Sequence, residues 1–373
     1  MIVLQAYTLN LKLKEPISIS FHTFNFRETV IISLSWESLI GMGEAAPFKP
    51  ITGDSQEEVL DQAKKISQIH LDPTKNTIAD LHAYMDKLNI VSQTLRAAVD
   101  FAYHDLLAKM KNIPVYALYR KTPKSVDNSI TIFVRDTFEE IAADAKRVFD
   151  RFPELKILKI KLNGKGDVNR AKSVKSVAPK GMKFVIDANQ GFSDPKRAVE
   201  DLNKIGKILE DVILVEEPCP KGELEKLKFV KENVQGMMVF ADESAATAED
   251  ARRVIKARAA HGINIKLQKA GGIWPSKQIA KMCIDNGLQM MVGCMFEGPI
   301  GIAAGIHFIA STDNIILTDL DSDLEIQDTT NTKSLFENGQ RSPLQEPGFG
   351  ITLDKEKISK LEEKGEAIYE KII

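Results

Sequence analysis

Two spacings of apolar residues divide the chain. In residues 1 to about 50 apolar and polar positions alternate: VLQAYTLNLKL and ETVIISLSWES carry the period of two of half-buried antiparallel strands, and GMGEAAPF ends the series with glycines and a proline. Between the first two runs SISFHTFNFRE (18–28) reads as a polar-aromatic loop, and PITGDS (50–55) reads as a second, glycine-bearing loop. From 55 to 112 the period becomes 3.6. SQEEVLDQAKKISQIH opens with a capping-box pair, Ser55 and Glu58, and SQTLRAAVDFAYHDLLAKMKN puts Ala98, Ala102 and Leu106 on one stripe. His104, inside that helix, reads as a packed or surface histidine rather than a ligand.

From Val126 the pattern changes again. Eight short apolar runs, NSITIFV, LKILKIKLN, KFVIDAN, VILVEEP, MMVFADE, GINIKLQ, LQMMVGCM and NIILTDLD, are separated by helix-length segments. Near-continuous apolar strands alternating with helices make a buried parallel sheet, and eight of them predict a closed barrel. An open doubly wound sheet is the alternative, but no GxGxxG follows its first strand. The division expected is an α+β capping domain over 1–125, to which a tail at 341–373 returns, and a barrel over 126–340.

Composition narrows the function classes. The 373 residues are 43% hydrophobic and 27% charged, with a formal net charge of −2 and a pI near 6.4. That balance gives no reason to expect nucleic acid or an anionic membrane as partner. There is no run of 18 apolar residues, and the start goes straight into strand-like sequence. The wide, odd spacing of Cys219, Cys283 and Cys294 suggests reduced thiols, hence a cytoplasmic protein.

The chemistry lies at the ends of the runs. Lys161, Asp187, Glu216, Asp242 and Lys266 follow one another at steps of 26, 29, 26 and 24, the differences between successive numbers, and Asp319 comes 53 after Lys266. A strand, a helix and two loops take roughly 25 to 30 residues, so each step is one βα unit or two. The carboxyl ends of barrel strands form the face where such folds keep their chemistry. Strands two and six stand opposite each other in a ring of eight, so Lys161 and Lys266 face across the mouth. Strands three to five place three carboxylates along one arc, where they would repel unless a hard cation held them; oxygen-only ligation suits Mg²⁺, one per subunit. A cation there can grip a substrate carboxylate while the lysines remove and return an α-proton from opposite faces. Lys159, one pleat from Lys161, would lower its pKa, and Asp319 and Asp321 suit a cationic group at the substrate's far end. A single acid or lysine in such a place is usually a cap or a surface residue. Five charged groups on five consecutive strands, inside apolar runs, are expensive unless they form a site.

With these residues in place, the sequence resembles the enolase superfamily, in the muconate-lactonising subgroup, and within it the dipeptide epimerases. The motifs are KIK (159–161), DAN, VEEP, ADES, INIKLQKAGGI, GCMFEGPIG and DLD (319–321). The resemblance spans the whole chain and implies a modified (β/α)₇β TIM barrel with an α+β cap. It implies Lys161 and Lys266 as the acid/base pair and Asp187, Glu216 and Asp242 as Mg²⁺ ligands, with Asn189 and Glu243 supporting them. It further implies Asp319 and Asp321 on a dipeptide ammonium, with Lys159, Thr131 and Glu297 as further substrate contacts. Residues 18–28 and ITGDS resemble substrate-covering loops, which brings in Phe21 and His22. Where Ala-Glu epimerases carry Arg-Thr in the first of these loops, this chain has His22-Thr23, which points to a small or hydrophobic residue X in L-Ala-X; Arg27 is also within reach. The expectation is a homo-oligomeric dipeptide epimerase. The alternatives are an N-succinylamino acid racemase, an o-succinylbenzoate synthase or a muconate cycloisomerase-like enzyme on the same scaffold, or a non-catalytic ligand-binding barrel.

Overall fold

The computed structural model describes residues 1–19, 22–330 and 336–373. The alternating N-terminal runs form a long hairpin: Ile2–Ile19 pairs antiparallel with His22–Trp36, from Val3 opposite Ser35 to Ile19 opposite His22, with a register shift between Lys12 and Ile17. Leu39–Ala45 adds to one edge of this sheet and Ala367–Lys371 to the other, so the end of the chain is a strand of the first sheet. Residues 18–28 are therefore strand where a loop is expected. The alternation of Phe24, Phe26 and their polar neighbours continues the strand period past its hydrophobic part. PITGDS is likewise no open loop: Lys49–Thr52 is one helical turn, ended by Gly53 in the left-handed conformation.

Against this sheet lies the helix Gln93–Met110. Gly41 and Gly43 allow the contact, because a Cβ on either would collide with the backbone carbonyl of Ala102 or Ala98. Leu4, Ile32 and Leu34 from the sheet and Leu95, Val99 and Leu106 from the helix form the core between them. The capping box of Ser55 and Glu58 is present at the start of Gln56–Ala63. His104 is buried, with Nδ1 2.8 Å from Asp100 O and Nε2 2.6 Å from the Tyr119 hydroxyl, a packed histidine.

The eight apolar runs are eight parallel strands, hydrogen-bonded in chain order: Ile130–Ile132, Ile157–Lys161, Lys183–Asp187, Val212–Glu216, Met238–Ala241, Gly262–Lys266, Gln289–Gly293 and Ile315–Asp319. The ring closes through one bridge, Asn128 opposite Thr318, where the Ser129 amide donates to Thr318 O at 2.7 Å. Alternation explains why these strands read as unbroken apolar runs. Leu158, Ile160, Phe184, Ile186, Val215, Val239, Ile263, Ile265 and Val292 point outward against the helices. Inside, Ile157, Val185, Leu214, Phe240, Met291 and Leu317 fill the lower barrel as a plug. Only the inward positions nearer the carboxyl ends are left for charge.

The cap and the barrel are joined by buried carboxylates. Asp100 accepts from the Ile273 and Trp274 amides, at 2.6 and 3.3 Å, at the start of the barrel helix Ile273–Asp285. Glu44 accepts from the Gly298 and Gly301 amides, at 2.7 and 3.0 Å, at the start of Pro299–Ala310. Each supplies, from the other half of the fold, the acceptor that a helix N-terminus lacks within itself. Among the described residues no helix is long and apolar enough to cross a membrane, and Cys219, Cys283 and Cys294 are free thiols.

Candidate active site

Strand register sets the site. Lys161, Asp187 and Glu216 are cross-strand partners on three neighbouring strands, and Lys266, Gly293 and Asp319 are partners on three others. Gly293 has no side chain for a reason of space: a Cβ there would lie 2.7 Å from Asp319 Oδ1 and 2.8 Å from Asn264 Oδ1. Lys161 and Lys266 line one cavity of about 520 Å³, its open mouth included. Asn189, Glu243 and Cys294 share the wall with them, and Phe24, Arg27, Phe48, Ile51, Met295 and Phe296 close the side below the cap. The two amines thus stand on one space from opposite strands of the ring.

Each amine is held by a carboxylate. Lys161 Nζ donates to Asp187 Oδ2 at 2.7 Å, and Lys266 Nζ donates to Asp242 Oδ2 at 2.8 Å. Burial disfavours the charged forms, but the attractions outweigh it. Asp242 holds the Lys266 ammonium above its ordinary range, while Lys161, Lys159 and Lys266 hold Asp187 well below the carboxylate range. Glu216 goes the other way: burial, against the pull of Lys159, pushes it up to about 7, and the neighbouring Glu243 rises to about 8.

Lys159 is the hub of this layer. Its ammonium, on a residue 1% exposed, lies 3.2 Å from Asp187, 2.9 Å from Glu216 and 2.5 Å from Asp319. Its charge is taken up by these three acids rather than left to act on Lys161, as the sequence had suggested. Asn264 Nδ2 donates to Glu216 Oε2 at 2.7 Å, and Lys269 Nζ bonds Asp242 through both its backbone carbonyl and Oδ1. The Asn189 amide and Nδ2 donate to Asp187 Oδ1, at 3.0 and 2.8 Å, the supporting part expected of it.

The donor set suits a hard divalent cation: three acids from adjacent strand ends, all oxygen, with Asp319 Oδ1 nearby buried and unpartnered. Among the described residues no three metal-binding side chains already converge on one point. Instead lysine ammoniums neutralise Asp187, Glu216 and Asp242, as positive charge must in a buried acidic layer.

Other expected contacts lie elsewhere. Asp319 and Asp321 do not act as a pair on one face, because the strand ends at Asp319 and Asp321 precedes the helical turn Ser322–Leu324. Asp319 meets Lys159, while Asp321 Oδ2 accepts the Thr131 amide at 2.8 Å, and burial raises Asp321 to about 6. Thr131 itself lines a separate cleft with Arg135 and Arg147. Glu297 is buried behind the cavity, accepting from the Met295 amide, and burial raises it to about 7. Phe21 lies outside the described residues, as does the side chain of His22.

Sequence reasoning missed Glu217, Asn264, Lys269 and Arg27. Glu217 accepts from Ser244 Oγ at 2.5 Å and from the Asp242 and Ser244 amides at 2.7 and 3.1 Å, so the second acid of the GluGluPro turn fixes the strand end that carries Asp242. Asn264, two residues before Lys266 on the same face, was open to the period-of-two reasoning applied to Lys159.

Two family models match the chain: the mandelate racemase / muconate lactonizing enzyme N-terminal domain over residues 2–119 and the enolase C-terminal domain-like model over residues 140–357. The chain belongs to the enolase superfamily. An L-Ala-D/L-Glu epimerase of Clostridium acetobutylicum is 33% identical over 351 residues, covering 92% of this chain and 96% of the relative. A hydrophobic dipeptide epimerase of Enterococcus faecalis is 32% identical over the same shares; the structure of that organism's dipeptide epimerase with Mg and L-Leu-L-Tyr superposes with a TM-score of 0.86 at 30% identity, over 94% of this chain and all of that one. The substrate-liganded L-Ala-D/L-Glu epimerase of Bacillus subtilis gives 0.85 at 31% identity, over 93% and 97% of the two chains. Relatives in this branch of the superfamily are epimerases and racemases, and the protein is an isomerase.

Proposed function

We propose that the protein is a Mg²⁺-dependent epimerase of L-Ala-X dipeptides, inverting the α-carbon of X by proton transfer between two lysines. The observation that carries this reading is the placement of Lys161 and Lys266 on opposite strands of the ring with their amines on one cavity. A carbon held between them meets a proton acceptor on one face and a donor on the other, and that arrangement inverts a centre. Asp187, Glu216 and Asp242 would hold the metal. When bound, Mg²⁺ would draw the substrate carboxylate to these acids and stabilise the negative charge left as the α-proton leaves. Lys161 takes the proton on its side, and Lys266 gives one from the other. Lys159 supplies fixed positive charge beneath the substrate carboxylate, and Asp319 and Asp321 accept the dipeptide ammonium across the mouth. Phe48 and Ile51, on the cap, keep water from the cavity.

The test is exchange of the α-hydrogen of X for deuterium in D₂O with Mg²⁺, read by mass. Exchange with inversion is expected for L-Ala-X, and none after metal chelation. Lys161→Ala and Lys266→Ala each abolish inversion, and one of them keeps exchange of the single enantiomer that faces the surviving lysine. Asp319→Asn and Asp321→Asn separate this activity from N-succinylamino acid racemisation, whose substrates carry no free ammonium. Full activity in both variants defeats the dipeptide reading.

A further inference from the structure

Arg27 lies on the strand His22–Trp36 with its side chain on the cavity wall and only 3% of the residue exposed. Its Nε donates to Phe296 O and its Nη1 to Pro47 O at 3.2 Å, while Nη2 is buried and has no partner. Among the described residues no carboxylate oxygen stands within 4.0 Å of it. The two nearby acids are turned to other work: Glu44 accepts from the Gly298 and Gly301 amides, and Glu297 from the Met295 amide. A guanidinium stays charged in a protein, and a charge taken out of water without a counter-ion is costly. The rest of that wall, Phe24, Phe48, Ile51 and Phe296, is apolar. An apolar sleeve with one uncompensated cation is complementary to a short aliphatic stem that ends in an anion.

We infer that Arg27 is the residue that selects X, and that X is acidic: glutamate first, aspartate second. The inference rests on the dipeptide epimerase reading and reverses the expectation of a small or hydrophobic X drawn from His22. A hydrophobic X fills the sleeve but leaves the guanidinium buried and unpaired, and a site of that kind rejects a ligand lacking the matching group more strongly than it rejects one of the wrong size. Lys161 and Lys266 cannot serve instead, because each is held by its own carboxylate and faces the reacting carbon.

The experiment compares L-Ala-L-Glu with L-Ala-L-Leu on the Mg²⁺-loaded protein, by deuterium exchange and by equilibrium calorimetry of binding. Wild type is expected to favour L-Ala-L-Glu by about 10- to 100-fold in kcat/KM, the worth of one hydrogen bond to a charged group. In Arg27→Met the ratio of the two kcat/KM values falls by that factor through KM, and Arg27→Lys, which keeps the charge but not the fork, falls in between. A wild-type preference for L-Ala-L-Leu overturns the proposal. So does an unchanged ratio in the variants, and because it is a ratio, a partly unfolded sample does not imitate the result. Should no dipeptide exchange at all, the epimerase reading fails, and calorimetry still decides about Arg27: tighter binding of the acidic dipeptide, lost in Arg27→Met, supports its role, and equal binding ends it.

Discussion

Replacing Lys159 with methionine keeps most of the apolar stem and removes the ammonium around which the inner acidic layer is built. Asp187, Glu216 and Asp319, all buried and within 3.2 Å of that nitrogen, are then left facing one another. Taking one partner from a buried ion pair costs about 3 to 5 kcal/mol, most of it the penalty of the charge left behind. Unfolding entropy near 2.1 cal/mol/K per residue gives roughly 0.8 kcal/mol/K for 373 residues, so a loss of about 4 kcal/mol lowers Tm by about 5 °C. Scanning calorimetry in metal-free buffer is the assay. A second scan in excess Mg²⁺ should narrow the gap between variant and wild type, since an ion bound only by the folded state adds about 2.7 kcal/mol at a hundred times its Kd. Equal Tm for the two proteins without metal would refute the reasoning, because the acids would then be balanced by something other than this lysine.

Three further outcomes follow from the geometry. Gly43→Ala drives a methyl into the Ala98 carbonyl and should cost at least about 1 to 3 kcal/mol, read as an earlier midpoint in a urea melt; an unchanged midpoint means that sheet and helix can part cheaply. His307, buried on the barrel helix Pro299–Ala310, accepts the Tyr116 amide on Nδ1 at 3.2 Å, and burial lowers it to about 4. The folded protein therefore binds fewer protons than the unfolded chain between pH 4 and 6.5, so stability present above 6.5 is lost as pH falls, by up to about 1.4 kcal/mol per unit. His307→Gln should flatten that slope, and a slope equal to wild type assigns it to other groups. Glu217→Gln weakens the acceptor of two amides and a hydroxyl at the Asp242 strand end and should cost about 1 to 2 kcal/mol, measured by urea titration; a cost near zero means that the turn holds itself.

Much of the architecture was legible because its signals are local. Each of the eight strands carries its own apolar run and its own acid or lysine, and the ring order follows the chain order. Failures came where the deciding contact is distant in sequence. Nothing near Lys159 tells that it will meet Asp319, 160 residues on, and nothing in GMGEAAP tells that Glu44 will reach two amides more than 250 residues away. The hairpin around residues 18–28 was mistaken for a loop because its aromatic and polar residues dilute the alternation, although Phe24 and Arg27 are buried in strand geometry. Asp319 and Asp321 were paired by a period of two that holds only while a strand lasts, and this one stops at the first of them.

The barrel helices that begin at Ile273 and Pro299 borrow their terminal acceptors from Asp100 and Glu44, which belong to the cap. Neither half of the polypeptide is then complete as a separate piece. A gene cut between them would yield a ring with two bare helix ends and a sheet bearing two stranded carboxylates, so shuffling caps among barrels requires carrying these two acids along.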